Sequence, residues 1–327
     1  MQDLLNIGVI GLGVMGQRML ERLNGHERLR VVAAWDANPA SVAAALGRWP
    51  QLPVVANAEA VIARPGLHGV YIATPPAAHI ALSERAFDAG LSVFCEKPLT
   101  TDFAAGQASV ERIAAEGHRA SVNFALASSP GLALLQTTFG AASRMPMGAL
   151  KEVELELAFS AWPRPWQAGA GSWLSERTEG GFSREVLSHF IFVLQRVLGP
   201  AAVLAQRVSY PEDGKSAETL LRAELLADGV PVRISGRVDA SAEVPDHNRM
   251  VWRTADGEIE LRQWFTEIEQ RRFDGVQPAS DPVSLRAATQ VDQLKQWVAM
   301  IEGQSHSLPG FAESLAVQHT IETLLNP

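Results

Sequence analysis

"NIGVIGLGVMGQRMLERL", residues 6–23, reads as strand, glycine turn and helix. Ile7, Val9 and Ile10 form a short apolar strand, and Gly11, Gly13 and Gly16 follow in a G-x-G-x-x-G pattern. Met15, Met19, Leu20 and Leu23 then recur at helical spacing. Each glycine has a physical task in a dinucleotide-binding turn: a sharp bend, a bare backbone for a pyrophosphate to approach, and close packing of helix on strand. The turn Gly11, Leu12, Gly13, Val14, Met15 and Gly16 is thus a candidate phosphate cradle, with the helix N-terminus offering free N–H groups and a positive dipole end.

A second apolar run, "LRVVAAWD", ends in Asp36, twenty residues after Gly16. An acid at that distance hydrogen-bonds a ribose 2′-hydroxyl. Ala37 and Asn38 follow, and neither is a cation suited to a 2′-phosphate, so NAD is expected over NADP, with NADP as the alternative. Asp36 also has a plainer reading, as the cap of a helix beginning near Pro39, a place Asn38 fits as well.

The alternation continues through "GVYIAT", "HIALSERAFDAG", "LSVFCE", "DFAAGQASVERIAAEG" and "RASVNF". Strands alternating with helices over short connections predict a doubly wound parallel sheet, an α/β Rossmann domain. In such sheets ligands bind outside the carboxyl ends of the strands. Thr74, Pro75, Glu96 and Lys97 stand at such ends. Burying a lysine costs energy unless it has partners, so Lys97 at the mouth of a core strand points to chemistry rather than to a surface turn.

Composition bounds the remainder. A chain of 327 residues predicts two domains, expected at 1–122 and 123–327. With 47% apolar and 20% charged residues it reads as an ordinary soluble protein. A net charge of −8 argues against a nucleic-acid surface, and the apolar runs are too short for a membrane span. The N-terminus lacks the basic leader of a signal peptide, and the single cysteine, Cys95, excludes an internal disulfide. A cytoplasmic location follows as the expectation. No histidine and carboxylate cluster has metal-ligand spacing.

The second half reads as a large, mainly antiparallel sheet with helices, an α+β domain. "LKEVELELAF" alternates Val153, Leu155, Leu157 and Phe159 with Glu152, Glu154 and Glu156, the pattern of a half-exposed strand. Asp228-Gly229 and Asp256-Gly257 lie between strand-like runs and predict hairpins. Two helical patterns near 286–302 and 310–325 close the chain. In "EGGFSREVLSHFIFVLQRVLGP", Phe182, Val186, Phe190, Val193 and Val197 predict a helix stopped by Gly199-Pro200. Glu185 and His189 are i and i+4 on it, so both project from one face.

"GVIGLGVMG", "VYIATPPAAH" and "VFCEKPL", in that order, resemble the glucose-fructose oxidoreductase and inositol dehydrogenase (Gfo/Idh/MocA) family. The resemblance implies hydride transfer between a nicotinamide and a hydroxyl- or carbonyl-bearing carbon of a small substrate: a sugar, polyol, cyclic diol or related alcohol or ketone. It implies that Lys97 binds the reacting oxygen, that Glu96 and the Thr74-Pro75 turn hold the cofactor's nicotinamide end, and that the C-terminal sheet assembles a homodimer or homotetramer. The family's glycine-triplet, aspartate and histidine pattern falls on Glu179-Gly180-Gly181, Glu185 and His189, which makes His189 the expected general acid/base and Glu185 a substrate-positioning group. Leu187 and Phe192 replace a usual glycine and a frequent second aspartate, and Ala125-Leu126-Ala127 replaces a more polar stretch, so a less polar substrate is expected. In "AWPRPWQAGAGSW", residues 161–173, Trp166 or Trp173 would stack on the substrate and Arg164 would hold an anion. Two other readings compete: a dinucleotide-binding regulator without turnover, and a reductase of imines or enones.

Overall fold

The computed structural model describes residues 3–143, 147–239, 246–273, 275, 276 and 282–326, without the side chains of 168–170, 275, 276 and 282–287. From the start of the chain, β1 (Leu5–Ile10), α1 (Val14–Leu23), β2 (Leu29–Trp35), α2 (Pro39–Arg48), α3 (Ala58–Ile62), β3 (Gly69–Ile72), α4 (His79–Asp88), β4 (Ser92–Cys95), α5 (Phe103–Glu116) and β5 (Ala120–Val122) follow one another. The five strands pair in parallel in the order β2-β1-β3-β4-β5. β3 and β4 are buried at every position, as strands covered on both faces must be. The chain leaves β1 for one neighbour, β2, and crosses back to the other, β3, so the strand order reverses beside β1. That reversal is where ligands bind in an open parallel sheet.

Contacts divide the chain into two compact units: Met1–Phe124 with Asp292–Leu315, and Ala125–Val291 with Ala316–Pro327. The helical pattern near 286–302 carries no mark that separates it from the second half; tertiary packing alone places 292–315 in the first unit. Within that unit, Trp297 is fully buried, with ring centroids 5.2 Å from Phe94 and 6.2 Å from Tyr71. The Val122 N–H at the end of β5 donates to the Pro309 carbonyl at 2.8 Å.

The second unit is built on α6 (Pro130–Phe139), β6 (Leu150–Phe159), α7 (Ser188–Leu198), β7 (Ala201–Ser209), β8 (Leu220–Ala227), β9 (Val230–Val238), β10 (Asp246–Thr254), β11 (Gly257–Arg262), β12 (Glu267–Arg272) and the two-residue β13 (Gly275–Val276). These strands form one sheet in the order β13-β12-β11-β10-β6-β9-β8-β7, antiparallel throughout except for the β6–β9 pair. Helices α8 (Pro282–Ile301) and α9 (Phe311–Leu325) end the chain. Asp228 (φ 49°) and Gly229 (φ 75°) make the two-residue turn between β8 and β9, the mirror-type turn that suits strand twist. At the other expected hairpin the turn falls one residue earlier, on Ala255-Asp256, and Gly257 opens β11.

β6 has the alternation its sequence predicts. Val153, Leu155, Leu157 and Phe159 are buried; Phe159 packs on Phe182, and the neighbouring Trp252 stacks on Phe139 of α6 at 5.5 Å. Glu152, Glu154 and Glu156 meet arginines on the adjoining strands instead. Arg253 reaches Glu152 at 2.9 Å, Glu154 at 2.8 Å and Glu258 at 3.3 Å, while Arg249 reaches Glu260 at 2.8 Å. Hydrogen bonds from Arg253 and Arg249 hold the Glu152 and Glu260 carboxyls below the usual range. Among the described residues, no helix is long and apolar enough to cross a membrane.

Candidate active site

The glycine turn fits a dinucleotide phosphate. Gly11 has φ +100°, and a Cβ there would lie 2.4 Å from the Ala73 carbonyl oxygen at the end of β3. A Cβ on Gly16 would lie 2.0 Å from the Gly11 oxygen. Gly13 differs: its chain neighbours and the adjoining helix backbone aside, no atom of the described residues stands within 4 Å of the place its Cβ would occupy. The chain thus needs glycine at two positions for its own packing, and at the third leaves the backbone open to an approaching group. Gly13 is the N-cap of α1 and makes no side-chain capping bond, so the N–H groups of Val14, Met15 and the next turn are not met by a side-chain cap.

Asp36 holds this turn in shape. Its Oδ2 accepts from the Leu12 N–H at 2.6 Å and its Oδ1 from the Asn38 N–H at 2.7 Å. The cap of α2 is Asn38, whose side chain accepts from the Ala40 N–H at 3.0 Å. Each Asp36 oxygen retains a second lone pair for a ribose hydroxyl.

Two strand-end loops adjoin the turn. Thr74 carries a buried hydroxyl without a hydrogen-bond partner among the described residues, an orphan that a cofactor group at this strand end would satisfy; Pro75 beside it is exposed. His79, which the sequence suggests is only a helix start, joins the loops: its Nε2 lies 2.8 Å from the Thr74 carbonyl and its Nδ1 2.9 Å from the Pro98 carbonyl. Burial lowers the ring's proton affinity, partly opposed by these carbonyls, and the neutral ring donates to one of them at a time. Lys97 is half-buried, immediately before Pro98.

Glu96 turns one oxygen to the interior. Tyr71 donates its hydroxyl to Glu96 Oε1, and Asn123 Nδ2 donates to the same oxygen at 2.6 Å. Gln293 then donates to Asn123 at 2.7 Å and accepts from Arg22 at 2.9 Å. Burial raises the Glu96 carboxyl, against the lowering effect of Tyr71 and Lys97. This chain of partners braces the residue next to Lys97. Its members come from α1, β3, the residue after β5 and α8, too far apart in sequence for spacing to reveal them.

The second unit holds the other candidates. The helix expected from Phe182 onward begins instead with a π turn, Ser183–Leu187, before α7. Glu185 lies in that turn and His189 at the start of α7, both buried, so ordinary α-helical i,i+4 geometry does not set their relation. The two glycines of the motif are accounted for by packing. A Cβ on Gly180 would lie 2.2 Å from the Leu174 carbonyl oxygen, and one on Gly181 (φ +99°) 2.1 Å from Glu218 Oε2. Glu218 is buried and accepts from the Ser183 N–H at 2.7 Å, capping the π turn from the segment that leads into β8.

His189 is oriented by two neighbours. The Ala125 N–H donates to its Nδ1 at 3.2 Å, and Trp264 meets its ring edge-on, 5.3 Å between centroids at 76°. Trp264 lies in the loop from β11 to β12, where Gln263, Trp264 and Phe265 have φ of 51°, 59° and 61°. Three successive left-handed residues without a glycine are strained, each by roughly 1 kcal/mol or more. The buried Asn248 fastens the loop, its Oδ1 accepting from the Trp264 N–H at 2.6 Å. The sequence singles out Trp166 and Trp173 as stacking groups; Trp264 is the tryptophan beside His189, and no periodicity in "ELRQWF" marks it.

Arg164 is already engaged with a carboxylate of its own unit. It donates to Asp246 at 2.8 Å and to Gln167 at 2.9 Å, with its guanidinium 4.6 Å from the ring of the exposed Trp166 and 5.9 Å from that of Trp264. Trp173 is half-buried in the following 3₁₀ turn, Ser172–Ser175.

The parallel sheet, the open glycine turn at its reversal point and the acid that fastens it define a dinucleotide-binding Rossmann domain. Residues 5–124 match the family described as oxidoreductases with an NAD-binding Rossmann fold. Inositol 2-dehydrogenase of Acidiphilium cryptum is 38% identical over 117 residues, 35% of this chain and 35% of its own length. The 1-carboxy-3-chloro-3,4-dihydroxycyclohexa-1,5-diene dehydrogenase of Comamonas testosteroni is 35% identical over 95 residues, 29% of this chain and 24% of its own. The chain thus matches about a third or less of the length of these relatives. An oxidoreductase from Agrobacterium radiobacter, solved with NAD+, L-tartaric acid and magnesium, shares the fold over 97% of this chain and 94% of its own, with a TM-score of 0.81 at 16% identity.

Proposed function

We propose that this protein is an NAD-dependent oxidoreductase acting on a hydroxyl- or carbonyl-bearing carbon of a small substrate, a polyol, sugar or cyclic diol among them. The observation that carries this reading is the first unit's strand-end constellation. An uncluttered Gly13, an orphaned Thr74 hydroxyl and Lys97 all stand at carboxyl ends of one parallel sheet. The bound nicotinamide supplies or takes the hydride. Lys97 binds the reacting oxygen and stabilises negative charge as it develops there. Within the second unit, Glu185 and His189, both buried, are the candidate positioning group and general acid/base. The scarcity of polar groups at Ala125-Leu126-Ala127 and the nearby Trp264 favour a ring with an apolar face over a heavily hydroxylated chain.

Asp36 supports NAD over NADP, since its carboxylate would repel a 2′-phosphate and no cation follows at 37 or 38. Nicotinamide absorbance, followed with NAD and NADP over pools of polyols, aldoses, ketones, cyclic diols and imines, tests the reading. An NAD-linked signal is expected. Silence from protein shown to bind NADH would remove the enzyme and leave a dinucleotide sensor.

Assembly through the C-terminal sheet is part of the same proposal. The arginine and glutamate side chains of β6, β10 and β11 form a paired, largely neutralised layer suited to cover by a second copy. Light scattering is expected to give two or four subunits; a monomer at micromolar concentration would remove it. A reducing cytoplasm fits the chain's single cysteine, Cys95, which is buried and free.

A further inference from the structure

Glu96 is tied to α1 by a chain of hydrogen bonds that has a direction. Arg22, in the last turn of α1, donates from its guanidinium to Gln293 Oε1 at 2.9 Å. Arginine has donors and no acceptor, so the amide oxygen of Gln293 faces it and the amide NH2 faces away. That NH2 donates to Asn123 Oδ1 at 2.7 Å, which turns the Asn123 NH2 onto Glu96 Oε1 at 2.6 Å. One cation at the outer end thus fixes both amides, and Glu96 meets a donor rather than a carbonyl. Asn123, Gln293 and Glu96 are all buried, and a flipped amide there would set oxygen against oxygen at low dielectric. The Asn123 N–H also donates to the Cys95 carbonyl at 2.7 Å, which anchors the relay at the end of β4. The chain therefore starts on the helix whose N-terminus carries the open glycine turn and ends on the residue next to Lys97.

We propose that Arg22, Gln293 and Asn123 are positioning residues for the nicotinamide half of the dinucleotide: their fixed polarity holds Glu96 by Oε1 and keeps Oε2 outside the relay, to meet the cofactor. This rests on the dinucleotide-binding reading above and deepens it. The adenosine and pyrophosphate end is assigned to the Gly11–Gly16 turn and Asp36, and none of the relay's side-chain bonds touches those residues. The two halves of the cofactor then respond separately to damage in the relay. Tyr71, the other donor to Glu96 Oε1, is untouched by the substitutions that follow.

Gln293→Leu cuts the relay. It is expected to raise the Kd for NADH about tenfold, the scale of one buried hydrogen bond, and to leave that for ADP within about twofold of native. ADP carries the adenosine and pyrophosphate but lacks the nicotinamide riboside, so a general loss of fold would weaken both ligands alike. Gln293→Glu tests the direction of the chain. The new carboxylate still accepts from Arg22 but offers Asn123 no proton, so the Asn123 amide turns its oxygen toward Glu96. A loss for NADH as large as in Gln293→Leu is expected, again with ADP within about twofold. Fluorescence titration gives the NADH constants and calorimetry those for ADP, and neither needs turnover. Native NADH affinity in either variant, or equal losses for the two ligands, overturns the proposal and leaves the dinucleotide reading in place. Native protein that does not bind NADH removes that reading, and the proposal with it.

Discussion

Lys97→Ala is expected to lower kcat by about 10³-fold while leaving NADH affinity within a few-fold of native. The two effects separate because different groups carry them. Cofactor binding is assigned to the Gly11–Gly16 turn, Asp36 and Thr74, none of which uses the Lys97 ammonium in any hydrogen bond described above. The lysine is assigned to the reacting oxygen, where charge grows only as the hydride moves, so its removal falls on the transition state rather than on the ground state. Lys97→Arg is expected to recover little, since a planar guanidinium does not reproduce a compact point charge. Single-turnover absorbance and fluorescence titration with NADH make the comparison. Native kcat in the alanine variant would remove Lys97 from the chemistry.

Arg184→Leu is expected to destabilise the protein by about 3 kcal/mol, the scale for removing one partner of a buried ion pair. Arg184 grips both oxygens of Glu322 on α9, at 2.6 and 2.8 Å, and donates to the carbonyls of Arg177 and Gly180 at 2.9 and 2.8 Å. Burial works against its charge, and the paired Glu322 more than offsets it. The substitution leaves a carboxylate and two carbonyls without their donor at the π turn that carries Glu185. A fall in melting temperature of roughly 10 °C follows from the size of a domain of this kind. Glu322→Gln, which keeps an acceptor, is expected to cost less than half as much. Calorimetry decides; a shift under 2 °C in Arg184→Leu would mean that solvent takes over the arginine's bonds.

The first unit was legible because its chemistry is local. A glycine that must bend and a glycine that must stay bare lie within six residues, and the apolar runs of β1, β3 and β4 are continuous because both faces are covered. The hairpin at Asp228-Gly229 and the faces of β6 were readable for the same reason. Ser129-Pro130, a capping serine before a proline, marks the start of α6 in the ordinary way, a signal the reading of the sequence passed over. What spacing concealed was what long-range packing creates. The π turn at Ser183 depends on Glu218 and on Arg184 reaching α9. The left-handed run at Gln263 exists because Asn248 and Phe265 hold it. Arg164 resembled an anion clamp until Asp246, from a strand 82 residues away, was found on it. His189 was identifiable as a residue of interest, but Trp264, which packs edge-on against it, was not.

The return of residues 292–315 to the first unit has a bearing on how the molecule is made. On the ribosome, the segment through Phe124 emerges with its sheet assembled but without Trp297 to cover Phe94 and Tyr71, or Pro309 to receive the Val122 N–H. Those partners arrive only after about 170 further residues have been translated, and at about 5–20 residues per second that is on the order of ten seconds or more. Throughout that interval the nascent first unit presents aromatic surface, a natural target for a holdase. Truncation after residue 124 would make that transient exposure permanent.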